Sequence, residues 1–104
     1  MPGLAAKPLR FSTRFEQDLD RVGAWCLKTA DERVADEAIE EIIEQAERIA
    51  RLGLKFRPGI RNTRECPLRR HPFLLIYRVE PRAVQMLRVI NARGVFLNQR
   101  ARNA

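Results

Sequence analysis

The hydrophobic period of this chain changes once, near its middle, and that change limits what it can fold into. Phe15, Leu19, Val22 and Cys26 fall on one helical stripe, and Ala35, Ala38, Ile39, Ile42, Ile43, Ala46, Ile49 and Ala50 on a second. From Ile60 the pattern is that of strands. IRNTREC (60–66) is a mostly polar strand candidate, FLLIYRV (73–79) a continuous β-prone run, and AVQMLRVIN (83–91) a third strand. Helical and strand periods place side chains on incompatible faces, so the two halves must form different elements sharing one core. The predicted class is α+β: a short N-terminal strand around Leu9–Phe11, then an antiparallel two-helix hairpin packed on a mainly antiparallel sheet of three C-terminal strands.

Local signals set the boundaries. Ser12 or Thr13 can cap the first helix, and Thr13 with Glu16 fits a capping box; Thr29 with Glu32 suggests a second start, and Gly53 a stop. Gly23 would allow close approach of a neighbour. Pro67 to Pro72 reads as a connecting loop, and Glu80-Pro81-Arg82 as a tight hairpin turn that leaves FLLIYRV central in its sheet. At 104 residues the chain is expected to be one domain, with a core at about 8–94 and a basic tail at 95–104.

Charge is divided as sharply as period. Residues 15–54 carry 5 basic and 11 acidic side chains, whereas residues 55–104 carry 12 basic and 2 acidic. Asp36, Glu37, Glu40, Glu41, Glu44 and Glu47 are expected on the solvated face of the second helix, without the glycine-interrupted spacing of a calcium loop. All but one of the later cations are arginines, which favours planar contacts to phosphates or to an acidic protein segment. Cys26 and Cys66 have no partner at zinc spacing and form no CxxC pair, so no disulfide framework, metal site or other cofactor is expected. No apolar run reaches the ~20 residues of a membrane span, and MPGLAAKPLRF lacks the apolar stretch of a secretory signal; the expected location is the cytoplasm.

The element order, with GIRNTREC, LLIYRVE and AVQMLRVINAR across residues 59–93, resembles the RelE/ParE superfamily of bacterial type II toxin–antitoxin toxins. The resemblance rests on a Gly and Arg opening one strand, an apolar IYRV strand, and a third strand with a polar and arginine tail, and it extends over about residues 8–94. It implies helices on one face of the sheet and a partner on the other. It also implies one of two activities: RelE-like cleavage of messenger RNA on the ribosome, or ParE-like poisoning of DNA gyrase. In both, a cognate acidic antitoxin neutralises the toxin in a hetero-oligomer, and such pairs serve plasmid stabilisation.

Metal-free RNA cleavage needs a base, an acid and fixed cations around the phosphate. Arg61, Arg64, Arg78 and Arg93 are the candidate cations. The resemblance implies a Tyr or His near the chain end for proton transfer, yet Asn91-Ala92-Arg93-Gly94-Val95-Phe96 offers only arginine, whose pKa is too high for a base. His71 reads as a solvated loop residue and Tyr77 as a structural tyrosine of the central strand; they are the remaining acid–base candidates. A gyrase poison requires no such groups, so the ParE-like reading is preferred. Its antitoxin- and target-binding candidates are Arg61, Arg64, Arg69, Arg70, Arg78, Arg93, Phe96 and Arg100. A third reading, a basic nucleic-acid-binding module, would use Phe73 and Phe96 as stacking platforms, with Phe11, Phe15 and Trp25 left in the core.

Overall fold

In the computed structural model, which describes residues 7–92, the order is β1 (Leu9–Phe11), α1 (Thr13–Thr29), α2 (Glu32–Leu52), β2 (Arg57–Pro58), β3 (Arg64–Pro67), β4 (Phe73–Val79) and β5 (Val84–Asn91). The strands form one sheet in the order β1-β5-β4-β3-β2; β1 runs parallel to β5 and every other pair is antiparallel. The expected α+β architecture is present, with FLLIYRV at its centre.

Four local expectations are corrected. Of the two cap candidates for α1 Ser12 is the one used, its Oγ accepting from Phe15 N–H at 3.0 Å, so the Thr13–Glu16 box is not formed. Thr29 does not begin the second helix: it ends the first, donating from its hydroxyl to Trp25 O, and Asp31 caps α2 by accepting from Val34 N–H. Both proposed capping boxes therefore lose to a residue whose extended backbone already turns into the helix. A Cβ added at Gly23 would meet nothing within 4 Å, so no neighbour approaches closely there. Finally, IRNTREC is a strand only from Arg64. Arg61 and Asn62 have φ values of 52° and 62°, a left-handed pair that cannot continue a strand, and β2 supplies an additional short edge.

Gly53 ends α2 at φ 66°, its N–H and that of Leu54 both donating to Ile49 O. Ala35, Ala38, Ala46 and Ala50 keep the inner face of α2 shallow, so Ile42 and Ile49 can reach Phe15, Val22 and Cys26 of α1 and the sheet residues Leu75, Tyr77, Met86 and Val89. Cys26 and Cys66 are unbridged core residues, and burial raises the pKa of each thiol.

One irregularity decides which side chains of β5 face that core. Tyr77 pairs with Met86 but Ile76 with Arg88, so Leu87 is an extra residue. The bulge resets the alternation: Val84 and Met86 point inward before it, Val89 after it. Beyond β1, the start of α1 takes over the β5 edge: Ser12 N–H donates to Met86 O, Ser12 Oγ–H to Leu87 O, and Val89 N–H to Asp18 Oδ2. Among the described residues no helix is long and apolar enough to cross a membrane.

Candidate functional site

The register sorts the sheet arginines by face. Phe11, Met86, Tyr77 and Arg64 form one row on the helix side, where Arg64 Nη1 donates to Phe56 O at 3.1 Å. On the other side, Arg10, Gln85 and Arg78 form the row nearest the β2–β3 turn; Arg88, Ile76, Glu65 and Arg57 lie in the next, with Arg88 turned to Asp18, and Ile90, Leu74 and Pro67 in the third, where Leu74 is 8% exposed. That face thus grades from basic near the turn to apolar away from it.

Arg61 and Arg78 are brought together, since Arg78 Nη2 donates to Arg61 O at 3.1 Å. Arg64 belongs to the same end of the sheet but to its other face. Arg69 and Arg70 stand in the β3–β4 connection at the opposite end, separated from Arg61 and Arg78 by the length of the seven-residue β4, roughly 20 Å. Arg69 and Arg70 therefore cannot share a phosphate with Arg61 and Arg78. Arg93, Phe96 and Arg100 lie outside the described residues.

The two acid–base candidates are both occupied. Tyr77 is fully buried, its hydroxyl donating to Leu54 O at 2.9 Å and accepting from Phe56 N–H at 3.0 Å. Burial drives its pKa up, against the bond from Phe56 and the charge of Arg64. This agrees with the expected structural role. His71 corrects its expectation: it is not solvated, its side chain is 13% exposed, and its Nδ1 lies 2.6 Å from Glu41 Oε1.

Glu41 itself was expected on the solvated face of α2 and is 7% exposed. Its Oε2 accepts from Arg69 N–H and Arg70 N–H, both at 3.0 Å, so one carboxylate ties the β3–β4 connection to α2. Burial pushes its pKa up, but the His71 contact, the two N–H groups and the His71 charge outweigh it and hold the carboxyl below its ordinary value. Arg70 also approaches Glu44, at 3.7 Å, beside a cleft of about 410 Å³ lined by Glu41, Glu44, Gln45, Arg48, Arg69 and Arg70.

Asp18 and Arg88 were not foreseen either. Arg88 Nε and Nη2 donate to the two Asp18 oxygens at 2.7 and 3.2 Å, and Asp18 is 1% exposed. A signal existed: Phe15, Asp18 and Val22 are spaced as one apolar stripe, so Asp18 had to be buried and therefore paired. Phe73, a stacking candidate, is also corrected. It is 1% exposed and meets Trp25 edge-to-face at 5.7 Å, which leaves no ring face for a base. Among the described residues no group of three or more His, Cys, Asp or Glu is placed to hold a metal.

A family model described as ParE toxin of type II toxin-antitoxin system, parDE, matches residues 9–96. The chain belongs to the ParE toxin family. It is accordingly a toxin of the RelE/ParE superfamily. Among solved structures, this ParE-family chain is similar to a chain of the chromosomal ParDE system of P. aeruginosa, at 23% identity and a TM-score of 0.76, over 84% of this chain and 97% of that one. It is also similar to a chain of the RelBE2 toxin-antitoxin complex of Mycobacterium tuberculosis, at 22% identity and TM-score 0.57, over 85% and 93%. The isolated RelE toxin of E. coli aligns at 19% identity and TM-score 0.51, over 94% and 97%. At these identities the likeness speaks for the fold. No curated protein sequence matches.

Proposed function

We propose that this chain is a non-covalent poison of bacterial DNA gyrase, held inactive by a cognate acidic antitoxin in a toxin–antitoxin complex. The observation that carries the proposal is the commitment of both acid–base candidates to the scaffold: Tyr77 Oη bridges Leu54 and Phe56, and His71 is closed against Glu41. A ribonuclease needs such groups free to exchange protons with substrate, whereas a poison needs only a surface that favours one state of its target. The match to the ParE family model supports the same choice.

The antitoxin would place carboxylates against the basic end of the sheet. Arg64 and Arg61/Arg78 lie on different sides of that end, so a segment meeting all three must pass round the β2–β3 edge. Apolar groups of the same segment would cover helix surface such as Leu27, which is 55% exposed.

The test mixes purified protein, gyrase, ATP and supercoiled plasmid, followed by denaturation of the enzyme. Linear DNA should accumulate with toxin and disappear when antitoxin is added. Indifferent gyrase, together with cleavage of ribosome-bound message, would replace this reading with the RelE-like one.

A further inference from the structure

Ile60 is 78% exposed, more than Leu27 at 55% or Leu52 at 48%, and it stands in the connection between β2 and β3. Turn chemistry does not ask for it: tight connections favour Gly, Asn, Asp and Pro, and a β-branched aliphatic in water gains nothing for the fold. The turn that carries it is nonetheless firmly built. Gly59 N–H donates to Thr63 O at 2.8 Å, Thr63 N–H to Ile60 O at 3.0 Å, Thr63 Oγ1–H to the same oxygen at 2.6 Å, and Arg78 Nη2–H to Arg61 O at 3.1 Å. Thr63 is 7% exposed beneath the turn. Arg61 takes a left-handed φ of 52° that arginine rarely adopts, and a backbone held there by its surroundings is characteristic of binding elements.

We infer that the β2–β3 turn is a preformed knob whose Ile60 side chain enters an apolar, acid-rimmed pocket on the folded target, gyrase under the proposal above. Three features select this partner. A fixed protruding side chain needs a hole, which a folded protein has and a flexible antitoxin segment lacks. The ordering cost of the turn is met within the free toxin. The turn follows Arg57, paired to Glu65 at 3.0 Å, and continues into Arg61, whose carbonyl accepts from Arg78, so its surroundings are basic and complement carboxylates. The inference rests on the gyrase reading for the identity of the target, and on the turn alone for the location of the contact.

Ile60→Ala and Ile60→Asp test it in the full chain. Ile60→Ala should weaken gyrase binding about tenfold and Ile60→Asp about a hundredfold or more. Ile60→Ala should keep antitoxin affinity within about twofold, because the antitoxin meets the flanking arginines, whereas Ile60→Asp sets a carboxylate beside them and should weaken it; both should keep the melting temperature within about 3 °C, as for an exposed side chain. Growth arrest on induced expression should weaken in the same order. Wild-type gyrase binding by both variants, or an antitoxin affinity that falls in place of target affinity, would overturn the knob. Weakened binding to bare plasmid DNA would also overturn it, pointing to a nucleic-acid contact. If the wild type arrests growth without touching gyrase while Ile60→Asp does not arrest it, the gyrase reading fails and the knob stands. A wild type with neither effect overturns both.

Discussion

Tyr77→Phe separates a structural tyrosine from a catalytic one. The ring keeps its place in the core, so no cavity opens and the change reduces to two hydrogen bonds. Phe56 N–H loses its acceptor, a desolvation penalty of about 1–3 kcal/mol, and Leu54 O loses one donor at about 1 kcal/mol, for about 2–4 kcal/mol in all. For a domain of this size that lowers the melting temperature by about 10–20 °C. In urea, with a slope of about 1.5 kcal/mol/M, the midpoint falls by about 1.3–2.7 M. The two bonds fix the chain between α2 and β2, so the variant should also exchange the Phe56 amide faster. Burial raises the Tyr77 pKa in the folded state; the folded form then holds its proton more tightly than the unfolded chain. Its contribution is complete below the ordinary tyrosine pKa of ~10 and is lost as pH rises through the folded value, a loss that Tyr77→Phe lacks. Under the proposed gyrase reading, the folded variant should poison gyrase as the wild type does. An unchanged melting curve, or lost activity with full stability, would refute this reasoning.

Glu41→Gln can keep one oxygen for the two N–H groups but removes the charge that they and His71 face and sets an amide NH2 where Oε1 met His71, so it should cost about 1–3 kcal/mol in chemical denaturation. Because the Glu41 pKa is lowered on folding, wild-type stability is complete above the ordinary glutamate value of ~4.3 and falls as pH drops through the folded value; the variant's acid limb should be shallower. Asp18→Ala orphans Val89 N–H and strands Arg88, whose 28% side-chain exposure lets water compensate in part, giving about 2–4 kcal/mol. A double-mutant cycle with Arg88→Met should show coupling above about 1 kcal/mol, and additivity would deny the pair. Two glycines should respond oppositely to alanine in thermal melts. Gly23→Ala, within α1 and with open space around it, should gain about 0.5–1 kcal/mol. Gly59→Ala would put a Cβ 2.6 Å from Thr63 Oγ1 and should cost about 1–3 kcal/mol.

The α+β class, the two helices, the central FLLIYRV strand and the structural role of Tyr77 were legible in the sequence because each depends on local periodicity and side-chain type. Burial of most of the α1 and α2 stripes follows from spacing, with Leu19, Ile39 and Ile43 at their margins only partly buried, and Gly53 ends a helix through its own backbone freedom. What tertiary structure decided is the partnership of polar groups. Glu41 sits beside the apolar stripe and looks like its exposed neighbours until the β3–β4 connection folds over it and offers two N–H groups and His71. The Leu87 bulge, the Asp18 patch on the β5 edge and the separation of Arg61/Arg78 from Arg69/Arg70 likewise depend on strand register. Register is a long-range property: a one-residue shift exchanges the faces of a strand while leaving composition and local propensity unchanged.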